Sequence, residues 1–175
     1  QLEDQEFPKR CGHPRDRRVI DMIDMQKKIK VAASTRDQHA FMIIARTDAR
    51  TRLGLDEALR RAEAYLAAGA DALFVESPET EEELHQIAAA FKGVPLVANM
   101  VAGGRTPMLP DQTLFELGFQ IVIHPTYLLG ALTSGLEQGL AELVATGQEN
   151  IEIAQFDRLN HWVDFEAIWA LDEEV

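Results

Sequence analysis

The feature that most constrains this chain is an alternation. Between residues 40 and 123, four short apolar runs are separated by helical patterns, and each run stops abruptly at polar residues. Ala40–Ala45 meets Arg46-Thr47-Asp48, Ala72–Val75 meets Glu76-Ser77, Pro95–Ala98 meets Asn99, and Phe119–Ile123 meets His124-Pro125. Short runs without polar alternation suit strands covered on both faces, the condition of a parallel sheet. Between them, Leu55, Leu59, Ala62 and Leu66 recur at helical spacing before Gly69, and Leu84, Ile87, Ala88 and Phe91 before Gly93. Leu114, Phe115 and Leu117 do so before Gly118. A glycine just past the last periodic residue is a helix-stop signal. Thr80 with Glu83 predicts a capping box, and Pro110 suits a first helical turn. Further helices are predicted over Val19–Gln38, over Tyr127–Ala145 and, in one or two pieces, over Phe156–Leu171. Strands alternating with helices predict parallel βαβ units.

Two architectures of this kind place ligands at strand C-termini. A doubly wound sheet concentrates them near one switch point and often carries a glycine-rich phosphate loop. Neither G-x-G-x-x-G nor G-x-x-x-x-G-K-[ST] occurs here. A (β/α)₈ barrel builds its site from the ends of several strands. Taken singly, each polar residue could merely begin a loop; polar ends on successive strands favour the barrel. A complete barrel needs eight strands and roughly 250 residues. This chain of 175 residues offers four, plus Leu2-Glu3-Asp4-Gln5, which reads as the polar end of another strand. The expectation is an α/β chain forming the C-terminal portion of a (β/α)₈ TIM barrel. The barrel part spans 1–147 with a catalytic loop at 3–14, and a C-terminal helical extension spans 148–175. The polar, Met-less opening at Gln1 carries the further expectation that barrel residues precede it.

Charge and cysteine content narrow the chemistry. With 29 acidic and 17 basic residues, the net charge of −12 is unsuited to nucleic acid. No apolar run reaches the ~18 residues of a membrane helix. One cysteine forms no internal disulfide and points to a reducing compartment, here the cytoplasm. That cysteine sits in the densest chemical segment, Lys9-Arg10-Cys11-Gly12-His13, bracketed by Pro8 and Pro14. Flanking cations lower a thiol pKa by stabilising the thiolate, and Gly12 permits a tight turn. An inert buried cysteine is the common alternative, but the charged flanks oppose burial. One cysteine with scattered histidines gives no zinc spacing, and nothing else supports a Cys-His protease. His39, His85 and His161 read as structural or solvated, and His124 as a pocket wall or a structural histidine. Trp162 and Trp169, seven apart, read as packing anchors of the terminal helix.

Glu3-Asp4-Gln5 followed by Pro8-Lys9-Arg10-Cys11-Gly12-His13 resembles the ED-Q…K-[KR]-C-G-H signature of the isocitrate lyase/phosphoenolpyruvate mutase superfamily. The likeness continues through Ala45–Ala49, Val75-Glu76-Ser77, Ala98-Asn99-Met100, Gly103–Pro107, Leu117-Gly118-Phe119 and Phe156–Asn160. Within the superfamily it is similar to the 2-methylisocitrate lyase and 2,3-dimethylmalate lyase type. The resemblance implies a (β/α)₈ barrel, usually a tetramer whose last barrel helix is exchanged between subunits. It implies Mg²⁺ (or Mn²⁺) and a small anionic carboxylate substrate. The implied reaction cleaves the C2–C3 bond of a 2-hydroxy di- or tricarboxylate to an α-oxo acid such as pyruvate and a second acid. Carried over by residue, Cys11 is the general acid, tuned by Lys9, Arg10 and His13, with Gly12 allowing close approach. Glu3 is a carboxylate of the metal site acting through water. Arg46 anchors the α-oxo acid carboxylate, Glu76 and Asn99 line the pocket, and Asp48 supports them.

Two departures stand out. The lyases commonly carry glutamate in an N-M-x-E-G-G pattern where this chain has Ala102, which leaves the substrate open. The region supplying the family's main metal-binding aspartates is not in this sequence. Alternatives are a phosphonomutase or an oxaloacetate decarboxylase-type enzyme, which the cysteine loop argues against, or an inactive fragment acting as an oligomerisation piece.

Overall fold

The computed structural model describes residues 1–9, 17–37, 41–149 and 156–173. Gln1–Tyr127 and Leu128–Val175 form two compact units. The first holds β1 (Leu2–Glu3), α1 (Met22–Thr35), β2 (Ile44–Thr47), α2 (Arg50–Leu53), α3 (Leu55–Ala67) and β3 (Ala72–Val75). It continues through α4 (Glu81–Ala90), β4 (Leu96–Asn99), α5 (Asp111–Leu117) and β5 (Phe119–Ile123). The five strands are all parallel and lie in sequence order, β1 to β5. The chain is thus a partial barrel of strand–helix units, with every strand C-terminus on one edge.

Local chemistry explains the elements. All four residues of β3, the central strand, are buried. β5, an outer strand, buries only Phe119 and exposes Gln120, so the expectation of strands covered on both faces fails there. The first apolar run yields a strand only from Ile44, because Phe41 and Met42 stay exposed before it. In α3 the buried residues are Ala58, Arg61, Ala62 and Tyr65, not the leucine stripe read from the spacing. The small alanines let the helix approach the sheet, while Arg61 and Tyr65 turn inward toward a buried carboxylate, Asp4. Leu55, Leu59 and Leu66 pack at the margin of the core.

Several helix ends follow the expected signals, but α1 begins at Met22 rather than Val19 and ends at Thr35, and Pro110 is the N-cap of α5 rather than part of its first turn. Gly69 ends α3 at φ 110°, where a side chain would be strained and its Cβ would lie 2.9 Å from the Ala33 Cβ of α1. The Thr80 hydroxyl accepts the Glu83 N–H at 3.1 Å, the first half of a capping box. The second half is absent, because the Glu83 carboxylate instead accepts the Glu79 N–H at 2.7 Å and pairs with Arg50. The single-turn α2 has too few residues for a periodic signal.

The second unit holds α6 (Tyr127–Thr146) beyond its first residue, α7 (Phe156–Trp162) and α8 (Phe165–Glu173). The two units part after Tyr127, the first residue of α6. The last helical pattern forms two helices, broken where Asp164 takes φ 56°. Trp169 lies 5.7 Å from Phe165 between ring centroids, and Arg158 stacks over Trp162. Both tryptophans are more than half exposed. Among the described residues, no helix is long and apolar enough to cross a membrane.

Candidate active site

Because β1 to β4 run parallel, the residues that end them converge: Glu3, Arg46 to Asp48, Glu76 with Ser77, and Asn99. At their centre is Arg46. Its Nε and Nη2 donate to the two Asp48 oxygens at 2.9 and 2.8 Å, a two-pronged pair. Its Nη1 is 3.3 Å from Glu76 Oε2, its Nε is 3.6 Å from Glu3 Oε2, and its Cζ lies 4.9 Å from the Phe74 ring centroid, over the ring. Burial opposes the charge on Arg46, but Asp48, Glu76 and Glu3 outweigh it and raise its pKa further. Burial likewise pushes Asp48 up, yet the Arg46 fork and the Arg17 charge overcome it and hold the carboxyl below its usual range.

The other expected residues fall around this pair. Asn99 Nδ2 is 3.4 Å from Glu76 Oε2, and its Oδ1 is buried with no partner among the described residues. Lys9 Nζ donates to Glu3 Oε2 at 3.0 Å, so Lys9 reaches the strand ends. A cavity of about 290 Å³ opens here, lined by Arg46, Glu76, Ser77, Asn99, Arg105 and Thr106 among others. Arg10, Cys11, Gly12 and His13 lie outside the described residues, as does His39. His124 pairs with Asp111 at 3.0 Å and does not line the cavity; His85 and His161 are exposed.

The pattern gave no sign that Asp4, Arg17 and Arg61 would be buried charges. Asp4 is fully buried and accepts Thr47 Oγ1, the Asp48 N–H, Arg61 Nη1 and the Tyr65 hydroxyl at 2.7 to 3.1 Å. Burial, then the Asp4 charge, pushes the Tyr65 hydroxyl pKa far up, so it stays a donor. Arg17 is fully buried and binds Asp48, Thr51 and Ser77. The i, i+4 spacing of Arg61 and Tyr65 between alanines was the one available clue; Arg17 sits in a charged run that reads as solvated. Arg105 lines the cavity and donates to Glu79 at 3.0 Å.

The described residues do not assemble a metal site. Among them no group of three or more His, Cys, Asp or Glu could hold an ion. Glu3, expected to act in a metal site through water, lies against Lys9 and Arg46, and both Asp48 oxygens are taken by arginines.

Residues 1–144 match the family described as phosphoenolpyruvate phosphomutase. The chain is 51% identical over 136 residues to 2,3-dimethylmalate lyase of Eubacterium barkeri, covering 78% of this chain and 47% of that protein. It is 37% identical over 175 residues to 2-methylisocitrate lyase of Bacillus subtilis, covering 96% and 57%. A solved phosphonopyruvate hydrolase complex with oxalate and Mg²⁺ superposes with a TM-score of 0.79 at 26% identity, covering 98% of this chain and 60% of that one. The chain thus spans about half the length of the curated relatives it matches.

Proposed function

The chain belongs to the phosphoenolpyruvate mutase/isocitrate lyase superfamily, and on that premise we propose that the protein is a carbon–carbon lyase. Its substrate is a 2-hydroxy dicarboxylate or tricarboxylate of the 2-alkylmalate or methylisocitrate kind. The products are an α-oxo acid such as pyruvate and a second carboxylic acid. The carrying observation is the Arg46 fork, oriented by Asp48 at the wall of a cavity that Glu76 and Asn99 also line. A planar guanidinium suits a carboxylate, and the Asp48 pair leaves Nη1, now 3.3 Å from Glu76, to meet one. Asn99 Oδ1, buried and without a partner among the described residues, is an acceptor for a substrate hydroxyl. A base takes the C2 hydroxyl proton, the C2 carbonyl forms as the C2–C3 bond breaks with its electron pair on C3, and the Cys11 thiol protonates C3. Lys9, Arg10 and His13 supply the positive surroundings that stabilise the thiolate left behind.

Magnesium is proposed for the protein from its likeness to a Mg²⁺-bound neighbour; no step is assigned to it, because the described residues do not assemble a site. Ala102 leaves the alkyl end of the substrate open. The test is pyruvate release from 2,3-dimethylmalate, 2-methylisocitrate and related alkylmalates, with Mg²⁺ and with a chelator. Cleavage should require the metal, and Cys11→Ser should lower kcat about 10²- to 10⁴-fold with an unchanged melting temperature. Full activity of Cys11→Ser would remove its acid role.

A further inference from the structure

Arg17 poses a question that the reaction leaves unanswered. Its side chain is fully buried, six residues after Cys11, and it binds three elements at once. Nη1 donates to Asp48 Oδ1 at 2.7 Å, beyond β2; Nη2 donates to Thr51 Oγ1 at 2.9 Å in α2 and to Ser77 Oγ at 2.8 Å, beyond β3. Its Nε is buried with no partner among the described residues. A buried guanidinium with an unmet donor is a poor way to gain stability, since apolar packing often serves as well or better. What the arrangement does is geometric. Asp48 Oδ1 receives Arg17 from one side and Arg46 from the other, at 2.7 and 2.8 Å. The Ser77 hydroxyl that Arg17 holds donates in turn to Glu76 Oε1 at 3.0 Å. Ser77 itself takes φ 58°, a conformation few non-glycine residues adopt, and its side-chain bond to Arg17 helps to keep it there. Two of the three carboxylates around Arg46, Asp48 and Glu76, are therefore placed by Arg17.

We propose that Arg17 is a positioning residue: by bridging Asp48, Thr51 and Ser77 it sets the plane in which Arg46 meets a substrate carboxylate. This rests on the reading of Arg46 as the carboxylate anchor. Arginine is needed rather than lysine, because one ammonium cannot span acceptors on three elements in a fixed plane.

The test uses Arg17→Lys, Arg17→Met and Thr51→Val in the whole protein, with oxalate as the probe in the presence of Mg²⁺. Oxalate affinity by calorimetry, kcat, KM and melting temperature are measured for each. Arg17→Lys should weaken oxalate binding and raise KM ~10-fold or more, with kcat changed much less and the fold retained. Thr51→Val keeps every charge and loses one anchor, so a few-fold loss in the same direction is expected even where Arg17→Met does not fold. Oxalate affinity within twofold of the unsubstituted protein in both Arg17→Lys and Thr51→Val would overturn the proposal and leave Arg17 a structural residue. Oxalate binding without pyruvate release from any alkylmalate would instead defeat the lyase reading alone. Absence of oxalate binding to the unsubstituted protein would defeat both.

Discussion

Asp48 is the residue on which the site's stability turns. It is wholly buried between two arginines and also anchors its own N–H on Asp4 at 2.9 Å. Its folded pKa lies below the unfolded value of about 3.9. The stabilisation it contributes is therefore fully present above about pH 4 and is lost as pH falls through the folded value. Replacing it leaves two buried guanidinium groups without their shared partner, at a cost of about 3–5 kcal/mol. Asp48→Asn should lower the melting temperature most at pH 7, and the gap to the unsubstituted protein should narrow as pH drops toward 3. A gap that stays constant with pH would show that the carboxylate is not what is being lost.

At the scale of the element, the close fit of α3 to its neighbours is the constraint. Gly69 combines a left-handed backbone with a Cβ position only 2.9 Å from Ala33 of α1, whereas Gly118 has a similar φ of 117° and open space around it. Alanine at either site incurs backbone strain of ~1 kcal/mol or more. Gly69→Ala must also push α1 away, so it should lose roughly another 1–2 kcal/mol in urea unfolding. Equal losses at the two sites would mean that the contact with α1 relaxes freely. The helix-stop signal that marks Gly69 in the sequence says nothing of this second demand, which arises from a helix more than thirty residues earlier.

For the whole molecule, apolar exposure carries the argument. Leu129, Leu132, Leu136, Leu140 and Leu143 of α6 recur three and four residues apart, and each is 46–65% exposed. Solitary exposed leucines are ordinary; a stripe along one helix calls for a partner. We propose a homo-oligomer, a tetramer exchanging C-terminal helices, as the state in which these residues are covered. Light scattering after size exclusion should give a multiple of the chain mass, and Leu136→Glu with Leu140→Glu should reduce it. A monodisperse monomer of 19.6 kDa for this chain would overturn the proposal.

Strand order, parallel pairing and the polar strand ends were legible in the sequence because each depends on local pattern: unbroken apolar runs, periodic helices between them, and a glycine at the stops. The same local pattern put Glu3, Arg46, Asp48, Glu76 and Asn99 at strand ends, where the fold brings them together. It could not show that Arg46 is already engaged by Asp48, nor that Arg17, Asp4, Arg61 and Tyr65 form the buried support beneath. Those choices rest on pairings between residues tens of positions apart, and a charged side chain is driven inside only when a partner from another element is there to meet it. Local pattern alone thus fixes which residues stand at the edge of the sheet. The tertiary structure alone decided which charges would be buried to hold them, because burial is a property of the partners and not of the residue.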